Sequence, residues 1–238
     1  MRTYLTSRIV PLDVQQISLV VPALNEAAGI VGALAPLQPL RERGHEVIVV
    51  DGGSHDGTAD LAEPLADRVV RGPRGRARQM NAGARVSRGG ILLFLHADTR
   101  LPEAADRKII VGLTRSGRGW GRFDVRLSGR HPLLRMIGPL FSLRSRVTGT
   151  ATGDQAIFIR RDWFDTAGGY PDIPLMEDLA LSRILRRRGR PLCLWSRVVT
   201  SSRRWEQNGI IRTILLMWRL RLAYYMGADP RELARRYR

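Results

Sequence analysis

Short apolar strands alternate with helical stretches over the first half of this chain, and the alternation limits its fold more than any other feature. Strand patterns cover residues 17–21, 46–50, 68–70 and 91–95, and helical patterns cover residues 26–34, 57–66 and 76–86. Strands that are joined through helices pair in parallel, and a buried parallel sheet carries helices on both faces. We therefore predict an α/β fold with a mostly parallel central sheet and right-handed crossovers.

The second half of the chain is less regular. Residues 120–127, 155–159 and 191–199 have strand patterns, and residues 131–147, 178–188 and 208–226 have helical ones, the first with a break near Gly138-Pro139. We find no internal repeat and no long Gly/Ser linker. We predict one domain over residues 1–205, with halves at about 17–116 and 117–205, followed by a C-terminal helical extension over residues 206–238.

The charge of the chain points to anionic partners. It has 39 Lys and Arg against 22 Asp and Glu, a net charge of +17, and Lys108 is its only lysine. Arginine suits nucleotides, phosphates, nucleic acid and anionic membranes, although an arginine-rich solvated surface explains the charge equally well. Acidic residues recur at the strand ends, and no recognised nucleic-acid motif is present, so we expect no nucleic-acid partner.

Cysteine and histidine usage excludes some classes of site. Cys193 is the only cysteine, which excludes an intrachain disulfide, and the four histidines are too scattered for a structural zinc site. Residues 1–16 lack the apolar core of a signal peptide, and no apolar stretch reaches the roughly 18 residues of a membrane span. We expect a cytoplasmic protein without a transmembrane segment.

Polar residues follow the first two predicted strands, at the edge where open parallel sheets bind ligands. Residues 21–26 read VPALNE, and there Asn25 and Glu26 could face the ribose or base of a nucleotide. The alternative is that Asn25 only caps the next helix. Residues 50–58 read VDGGSHDGT, in which Asp51 could accept the N–H of a planar base and Gly53 lets a ligand approach the backbone. A purely structural turn is the alternative there.

Two further segments of the first half add candidates. Arg76, Arg78 and Gln79 lie at the start of a predicted helix, whose free N–H groups favour an anion such as a diphosphate. A solvated basic loop is the alternative. The strand at residues 91–95 delivers His96 and Asp98 to the same edge and to one face. A carboxylate there can hold a hard divalent cation that bridges diphosphate oxygens.

The second half has two more candidate motifs. Glu177 and Asp178 open a helix, where the helix dipole stabilises acids, so a structural role competes with that of a general base. Arg203 and Arg204 beside Trp205 can bind a phosphate while the ring packs on a substrate. A surface loop is the alternative for these three residues.

In this order, the motifs resemble family 2 glycosyltransferases, the nucleotide-sugar-dependent enzymes with a GT-A fold. The resemblance covers about residues 17–205 and rests on VVPALNE at 20–26, DGGSHDGT at 51–58, HAD at 96–98 and ED at 177–178. The segments FLHADT at 94–99, TGDQ at 152–155 and SRRW at 202–205 are similar to a subgroup associated with selenium metabolism, which includes the selenosugar synthase of selenoneine biosynthesis.

The resemblance implies a donor site in the first half. Asp51 would hold the uracil of a UDP-sugar, Glu26 the nucleoside, and Asp98 a divalent cation, Mg²⁺ or Mn²⁺. Family members usually have an acidic residue where this chain has His96, so one anionic contact to metal or sugar is missing. The residues predicted to bind the donor are Pro22, Ala23, Asn25, Glu26, Asp51, Gly53, Arg78, Gln79, His96, Ala97 and Asp98.

The resemblance also implies an acceptor side. Asp178 matches the catalytic base of the family, with Glu177 beside it. The implied reaction transfers a sugar, for which UDP-N-acetylglucosamine is the favoured donor, to selenophosphate, with a new carbon–selenium bond, inversion and release of UDP. A lipid phosphate or a small alcohol is the alternative acceptor. The residues predicted to bind the acceptor are Asp154, Gln155, Arg203, Arg204 and Trp205.

The C-terminal segment leaves three interpretations open. Leu215, Trp218, Leu222 and Tyr225 follow helical spacing. Such an amphipathic helix could pack on its own domain, pair with a second subunit as a homodimer, or lie on an anionic membrane surface.

Overall fold

A mixed sheet runs through the centre of the protein. The computed structural model describes residues 15–237; residues 1–14, most of the stretch in which we sought a signal peptide, lie outside the described part. The strands are β1 Ile17–Ala23, β2 Glu46–Asp51, β3 Arg68–Arg71, β4 Ile91–Phe94, β5 Thr99–Arg100, β6 Trp120–Leu127, β7 Phe158–Arg160 and β8 Leu192–Thr200. They pair as one eight-stranded sheet in the order β3-β2-β1-β4-β7-β6-β8-β5.

Helices cover both faces of the sheet, as predicted. They are α1 Ala27–Leu34, α2 Gln38–Glu42, α3 Thr58–Ala62, α4 Arg76–Val86, α5 Ala105–Ser116, α6 Pro132–Thr148, α7 Arg161–Thr166, α8 Glu177–Arg188, α9 Arg203–Asn208, α10 Ile210–Tyr225 and α11 Pro230–Tyr237. Short 3₁₀ helices occupy Ala35–Leu37, Glu63–Leu65 and Gly153–Gln155. Within residues 15–237, no helix combines the length and the apolar character that crossing a bilayer requires.

The first half of the sheet is parallel. β1 pairs in parallel with β2 and β4, and β2 pairs in parallel with β3. Every residue of β2 is buried, since successive side chains enter different hydrophobic clusters: Val49 packs with Leu19 on one face, and Val50 packs with Val20 on the other. The continuous apolar runs of the sequence therefore reflect burial on both faces.

The second half adds antiparallel pairs. β7 pairs antiparallel with both β4 and β6, whereas β6 and β8 are parallel. The strand predicted at residues 155–159 begins later, at Phe158, because residues before it form a 3₁₀ helix. There Thr152 and Gln155 cap each other's backbone N–H groups, which favours the helical turn.

Helix α6 runs without a break through Gly138 and Pro139, so the predicted interruption is wrong. Gly138 is buried against β6, where a Cβ would lie 2.5 Å from the carbonyl oxygen of Val125. Arg146 of the same helix binds the carboxylate of Asp124 on β6 at 2.9 Å. Packing on the sheet at both points holds the helix continuous, although Pro139 lacks one backbone donor.

Candidate active site

The loops after β1 and β2 bind each other at the carboxyl edge of the sheet. The backbone N–H of Asn25 donates to Ser54 Oγ at 2.9 Å, and that of Glu26 donates to Thr58 Oγ1 at 2.8 Å. The side chain of Asn25 accepts from the N–H of His55 and does not cap α1. These hydrogen bonds join the two loops, so the two motifs form one structural unit.

The side chains of Asp51 and Gln79 bind the backbone at this edge of the sheet. Asp51 is 3% exposed, and its carboxylate accepts hydrogen bonds from the N–H groups of Gly53 and Ser54 at 3.1 Å. The amide of Gln79 donates to the carbonyl oxygens of Ala23, the last residue of β1, and Val50, the last but one of β2, each at 2.8 Å. Both side chains therefore fix the backbone on which a ligand would rest.

A cleft of about 400 Å³ opens above this edge, and we call it the donor part after the residues predicted to bind a donor. Seven of the eleven predicted donor residues line it: Pro22, Ala23, Glu26, Gln79, His96, Ala97 and Asp98. Arg74, Arg76, Pro174, Leu175, Ala234 and Tyr237 are among the other lining residues. The cleft therefore gathers motifs that are far apart in the sequence.

The remaining predicted donor residues do not line this cleft. Asn25 and Gly53 belong to the two interlocked loops, and Asp51 is the last residue of β2. Arg78 is exposed and binds Asp172 at 2.8 Å, so the structure turns it away from the cleft. Its neighbour Arg76 occupies the position that the sequence analysis gave to Arg78.

A second space of about 580 Å³ adjoins the first, and we call it the acceptor part after the residues predicted to bind an acceptor. The two share Glu26, Arg76, His96, Asp98 and Tyr237. Four of the five predicted acceptor residues line it, namely Asp154, Arg203, Arg204 and Trp205. Gln155 lies behind them, fully buried, and its side-chain oxygen accepts from the N–H of Thr152 at 3.2 Å.

The three residues at the start of α9 have different surroundings. Arg203 is exposed, and its guanidinium lies 3.9 Å from Glu26. Arg204 donates to the carbonyl oxygen of Tyr237 and stacks 3.6 Å from the centre of its ring, which holds α11 beside the cleft. Trp205 is nearly buried against Phe141, so most of its ring packs in the protein.

Glu177 and Asp178 lie where α8 begins and line a smaller pocket of about 70 Å³, which shares Arg76, His96 and Asp154 with the acceptor part. Asp178 accepts hydrogen bonds from the N–H groups of Gly153 and Leu179, at 2.9 and 2.7 Å. Burial raises the pKa of both carboxyls above the ordinary range. The guanidinium of Arg76, 3.8 Å from Glu177, opposes that rise. The two acids thus hold protons more readily than exposed carboxyls do.

Asp154 has the opposite electrostatics. Desolvation favours its neutral form, but His96, 3.5 Å away, together with Arg76 and Arg144, outweighs desolvation and lowers the pKa of Asp154. The cleft therefore places an anionic carboxylate beside two carboxyls with raised pKa values.

Arg144, Arg221 and Tyr237 are not among the site residues named from the sequence. Each of the two guanidiniums lies 5.4 Å from the ring of Phe141, and each has a buried Nε without a hydrogen-bond partner among residues 15–237. Burial lowers the pKa of Arg144. Unpaired buried donors on cations favour an anion. Arginines that interrupt apolar helices were a signal for the first two residues; the sequence holds none for Tyr237.

A divalent cation fits this site only together with a ligand. Among the described residues, no three His, Cys, Asp or Glu side chains converge as a metal cage. Asp98 is exposed at the cleft, with Glu26 lining the same space. Magnesium is commonly bound through one or two carboxylates plus substrate phosphates. Asp98 therefore suits a cation shared with a diphosphate, to which the metal would supply charge neutralisation.

Known proteins resemble this chain in sequence. The model of a family described as "Glycosyl transferase family 2" matches residues 18–162. The undecaprenyl-phosphate 4-deoxy-4-formamido-L-arabinose transferase of Pseudomonas paraeruginosa is 28% identical over 140 residues, which are 49% of this chain and 41% of that relative. The enzyme of the same name from Aeromonas hydrophila is 28% identical over 103 residues, 38% of this chain and 31% of the relative.

Solved structures share the fold. S. aureus TarS 1–349 in complex with UDP-GlcNAc has a TM-score of 0.62 and 17% identity, over 78% of this chain and 58% of that one. The mannosyltransferase PcManGT from Pyrobaculum calidifontis, solved with GDP-Man and Mn²⁺, has a TM-score of 0.59 and 23% identity, over 77% of this chain and 56% of that one. At these identities the likeness concerns the fold alone.

Proposed function

Since the chain belongs to glycosyl transferase family 2, we propose that it transfers a sugar from a UDP-sugar to an acceptor that carries a phosphate. The expected GT-A fold is confirmed, as is the expectation of a sugar-transferring enzyme. One observation carries the proposal: the donor and acceptor parts form neighbouring spaces that share Glu26, Arg76, His96 and Asp98. A group bound in one part is therefore next to a group bound in the other.

The donor part suits a UDP-sugar. Glu26 and the loop after β1 would contact the nucleoside, and Asp51 remains the predicted uracil contact. Arg76 lies between the two parts, where the diphosphate would sit, and Asp98 would hold Mg²⁺ or Mn²⁺ there. TarS, whose fold is similar, was solved with UDP-GlcNAc, which supports UDP-N-acetylglucosamine as the first donor to test.

The chemistry follows from charge. As the bond between the anomeric carbon and the UDP oxygen breaks, negative charge develops on the diphosphate, and the guanidinium of Arg76 stabilises it. The acceptor attacks the anomeric carbon from the opposite side, which inverts its configuration. Asp178 accepts a proton from an acceptor that carries one, and its raised pKa makes the carboxylate a better base.

Selenophosphate is the first acceptor we propose, so that the protein acts as a selenosugar synthase in the cytoplasm. Its selenium is a soft anionic nucleophile, which forms the carbon–selenium bond as the carbon–oxygen bond to UDP breaks. Such an acceptor depends less on a base than on cations that hold its phosphate. Arg203, Arg204 and Arg221 line the acceptor part and can do this.

A lipid phosphate is the second acceptor we propose, and a specific observation favours it. The relatives from Pseudomonas and Aeromonas are named for undecaprenyl phosphate. This chain spans 41% of the length of the first of them, so the likeness supports the class of acceptor only as a proposal. The same arginines would bind either phosphate.

The test combines donor binding with product analysis. UDP titrated into the protein with Mg²⁺ or Mn²⁺ present should release heat, and Asp98→Asn should weaken that binding, whereas Asp172→Asn, outside the cleft, should not. Several UDP-sugars are then offered with selenophosphate, thiophosphate or a polyprenyl phosphate, and product mass is followed. A selenium-bearing sugar would establish the first acceptor, and turnover with the lipid phosphate alone would establish the second. Absence of any heat with UDP would refute the proposal.

A further inference from the structure

Two helices next to the cleft expose apolar stripes to solvent. On α6 the exposed residues recur at spacings of three and four, which places them on one helix face. The same pattern recurs on α10. These side chains are between 37% and 68% exposed: Leu133, Met136, Leu140, Leu143 and Val147 on α6, and Ile211, Leu215, Trp218, Leu222 and Tyr225 on α10. We call them together the α6–α10 face.

The two helices are neighbours. Ile210 and Ile214 of α10 pack in one cluster with Leu134 and Ile137 of α6. The guanidinium of Arg221 on α10 lies over the ring of Phe141 on α6. The opposite sides of both helices are thus bound to the protein, and the apolar stripes are the exposed sides of two helices that contact each other. Apolar surface of this extent on a single chain marks an interaction site.

Charge decides which partner suits this face. Neither helix carries an Asp or a Glu, and three of their arginines are exposed: Arg135 on α6, and Arg212 and Arg219 on α10. The other three, Arg144, Arg146 and Arg221, are only partly exposed, and Arg146 binds Asp124. A second copy of the chain, docked through the same face, would bring arginines against arginines. An anionic surface would instead neutralise them.

We propose that the α6–α10 face docks on a bilayer that contains anionic phospholipids. An apolar helix face flanked by arginines lies in the boundary between headgroups and acyl chains, and long arginine side chains reach back to the phosphates. Exposed Trp218 and Tyr225 suit the same boundary because each ring is apolar with one polar atom. Surface arginines add attraction to anionic lipids.

Docking would set the acceptor part beside the bilayer. Phe141 of α6, with Met217 and Arg221 of α10, lines that part of the cleft. The inference does not rest on the proposed function, because vesicle binding requires no sugar transfer. If both are correct, the lipid phosphate becomes the favoured acceptor.

The test measures co-sedimentation of the full chain with vesicles of phosphatidylcholine and phosphatidylglycerol, against vesicles of phosphatidylcholine alone. We expect binding to the anionic vesicles that falls as salt rises. The double variant Trp218→Ser/Leu222→Ser should lower the partition coefficient at least about tenfold, because two large apolar groups no longer enter the boundary. Arg212→Gln/Arg219→Gln should lower it by a similar factor on the anionic vesicles only.

Controls separate docking from misfolding and from pairing of two chains. The variant Leu61→Ser/Val111→Ser changes exposed apolar residues on α3 and α5 and should bind vesicles as the wild type does. Met136→Ser/Leu140→Ser repeats the test on α6, and UDP titration with circular dichroism checks each fold. The inference would be overturned if the wild-type protein did not bind anionic vesicles. The inference would also be overturned if light scattering showed a dimer of the wild type, and if Trp218→Ser/Leu222→Ser dissociated that dimer but bound vesicles as the wild type does.

Discussion

The positive charge of Arg76 affects the pKa values of both carboxyls at the start of α8. Arg76 lies on the first turn of α4, lines both the donor and the acceptor part, and approaches Glu177. Residues two apart on a helix point in directions about 200° apart, so only one of Arg76 and Arg78 can face the cleft. The sequence could predict a basic helix start at this edge, but the choice between the two arginines depends on how α4 sits on the sheet.

Replacing Arg76 should move the pH dependence of turnover. Its charge holds down the pKa values of Glu177 and Asp178, which burial raises. In Arg76→Gln both pKa values rise further, so Asp178 is deprotonated only at higher pH. The acid limb of the kcat profile should shift to higher pH, with roughly tenfold lower kcat at neutral pH. Arg76→Lys, which keeps the charge, should largely restore the profile. An unmoved limb in Arg76→Gln would show that neither carboxyl controls turnover.

Asp178 offers a test of the base. Asp178→Asn should lower kcat by about 10²–10⁴ with an acceptor that must lose a proton, because the amide cannot accept it. With selenophosphate the loss should be smaller, since that nucleophile is already anionic. Affinity for UDP should stay unchanged, which calorimetry checks, and Asp162→Asn on α7 serves as the exposed control. Equal turnover by the variant and the wild type with every acceptor would remove Asp178 from the mechanism.

Helix α6 is an element whose extent the local helix propensity of its sequence does not predict. Gly138-Pro139 is a helix-breaking pair by propensity, yet the helix continues because it packs on β6 at Gly138 and is bound at Arg146. These contacts join the helix to Val125 and Asp124 on β6, which lie outside the sequence of the helix. The local sequence pattern therefore does not predict them. The helix α4, by contrast, has the limits that its own sequence predicted, Arg76–Val86.

The close approach at Gly138 gives a stability prediction. An alanine there would place its Cβ against the carbonyl oxygen of Val125, a backbone atom that cannot rotate away. Gly138→Ala should therefore lower the free energy of unfolding by about 1–3 kcal/mol. Gly32→Ala, at an exposed site on α1 with nothing within 4 Å of the new Cβ, should raise it by up to about 1 kcal/mol. Urea titration measures both. Equal midpoints for the two variants would mean that α6 moves freely on β6.

For the whole molecule, the sequence predicted the layers of the fold and the meeting of polar residues at one edge of the sheet, but not where the C-terminal helices pack. Polar residues at the ends of β1 and β4 meet because neighbouring parallel strands end at the same edge. Tyr237 reaches the cleft for a different reason: Leu220 and Leu233 pack on Leu175 near the start of α8 and carry α11 with them. That packing joins segments without any shared pattern, so only the structure locates Tyr237.

The distribution of charge across the molecule separates an enzyme from a nucleic-acid-binding protein. The net charge is +17, yet carboxylates line the cleft: Glu26, Asp98, Asp154, Glu177 and Asp178. The cationic surface should therefore attract duplex DNA only through its phosphates, whereas UDP should be bound by fixed groups. Between about 50 and 200 mM salt, DNA affinity should fall by about 10³ or more, as it does for a protein with 6–10 phosphate contacts.

UDP affinity should change far less over the same range of salt, because shape and directed hydrogen bonds hold the nucleoside. Calorimetry of UDP and fluorescence anisotropy of a labelled duplex, on the same protein sample, measure the two dependences. Asp98→Asn should weaken UDP binding and leave DNA binding unchanged or slightly tighter, since it removes a negative charge. DNA that displaces UDP at about 200 mM salt would instead place the nucleic acid in the cleft and reverse the assignment of the site.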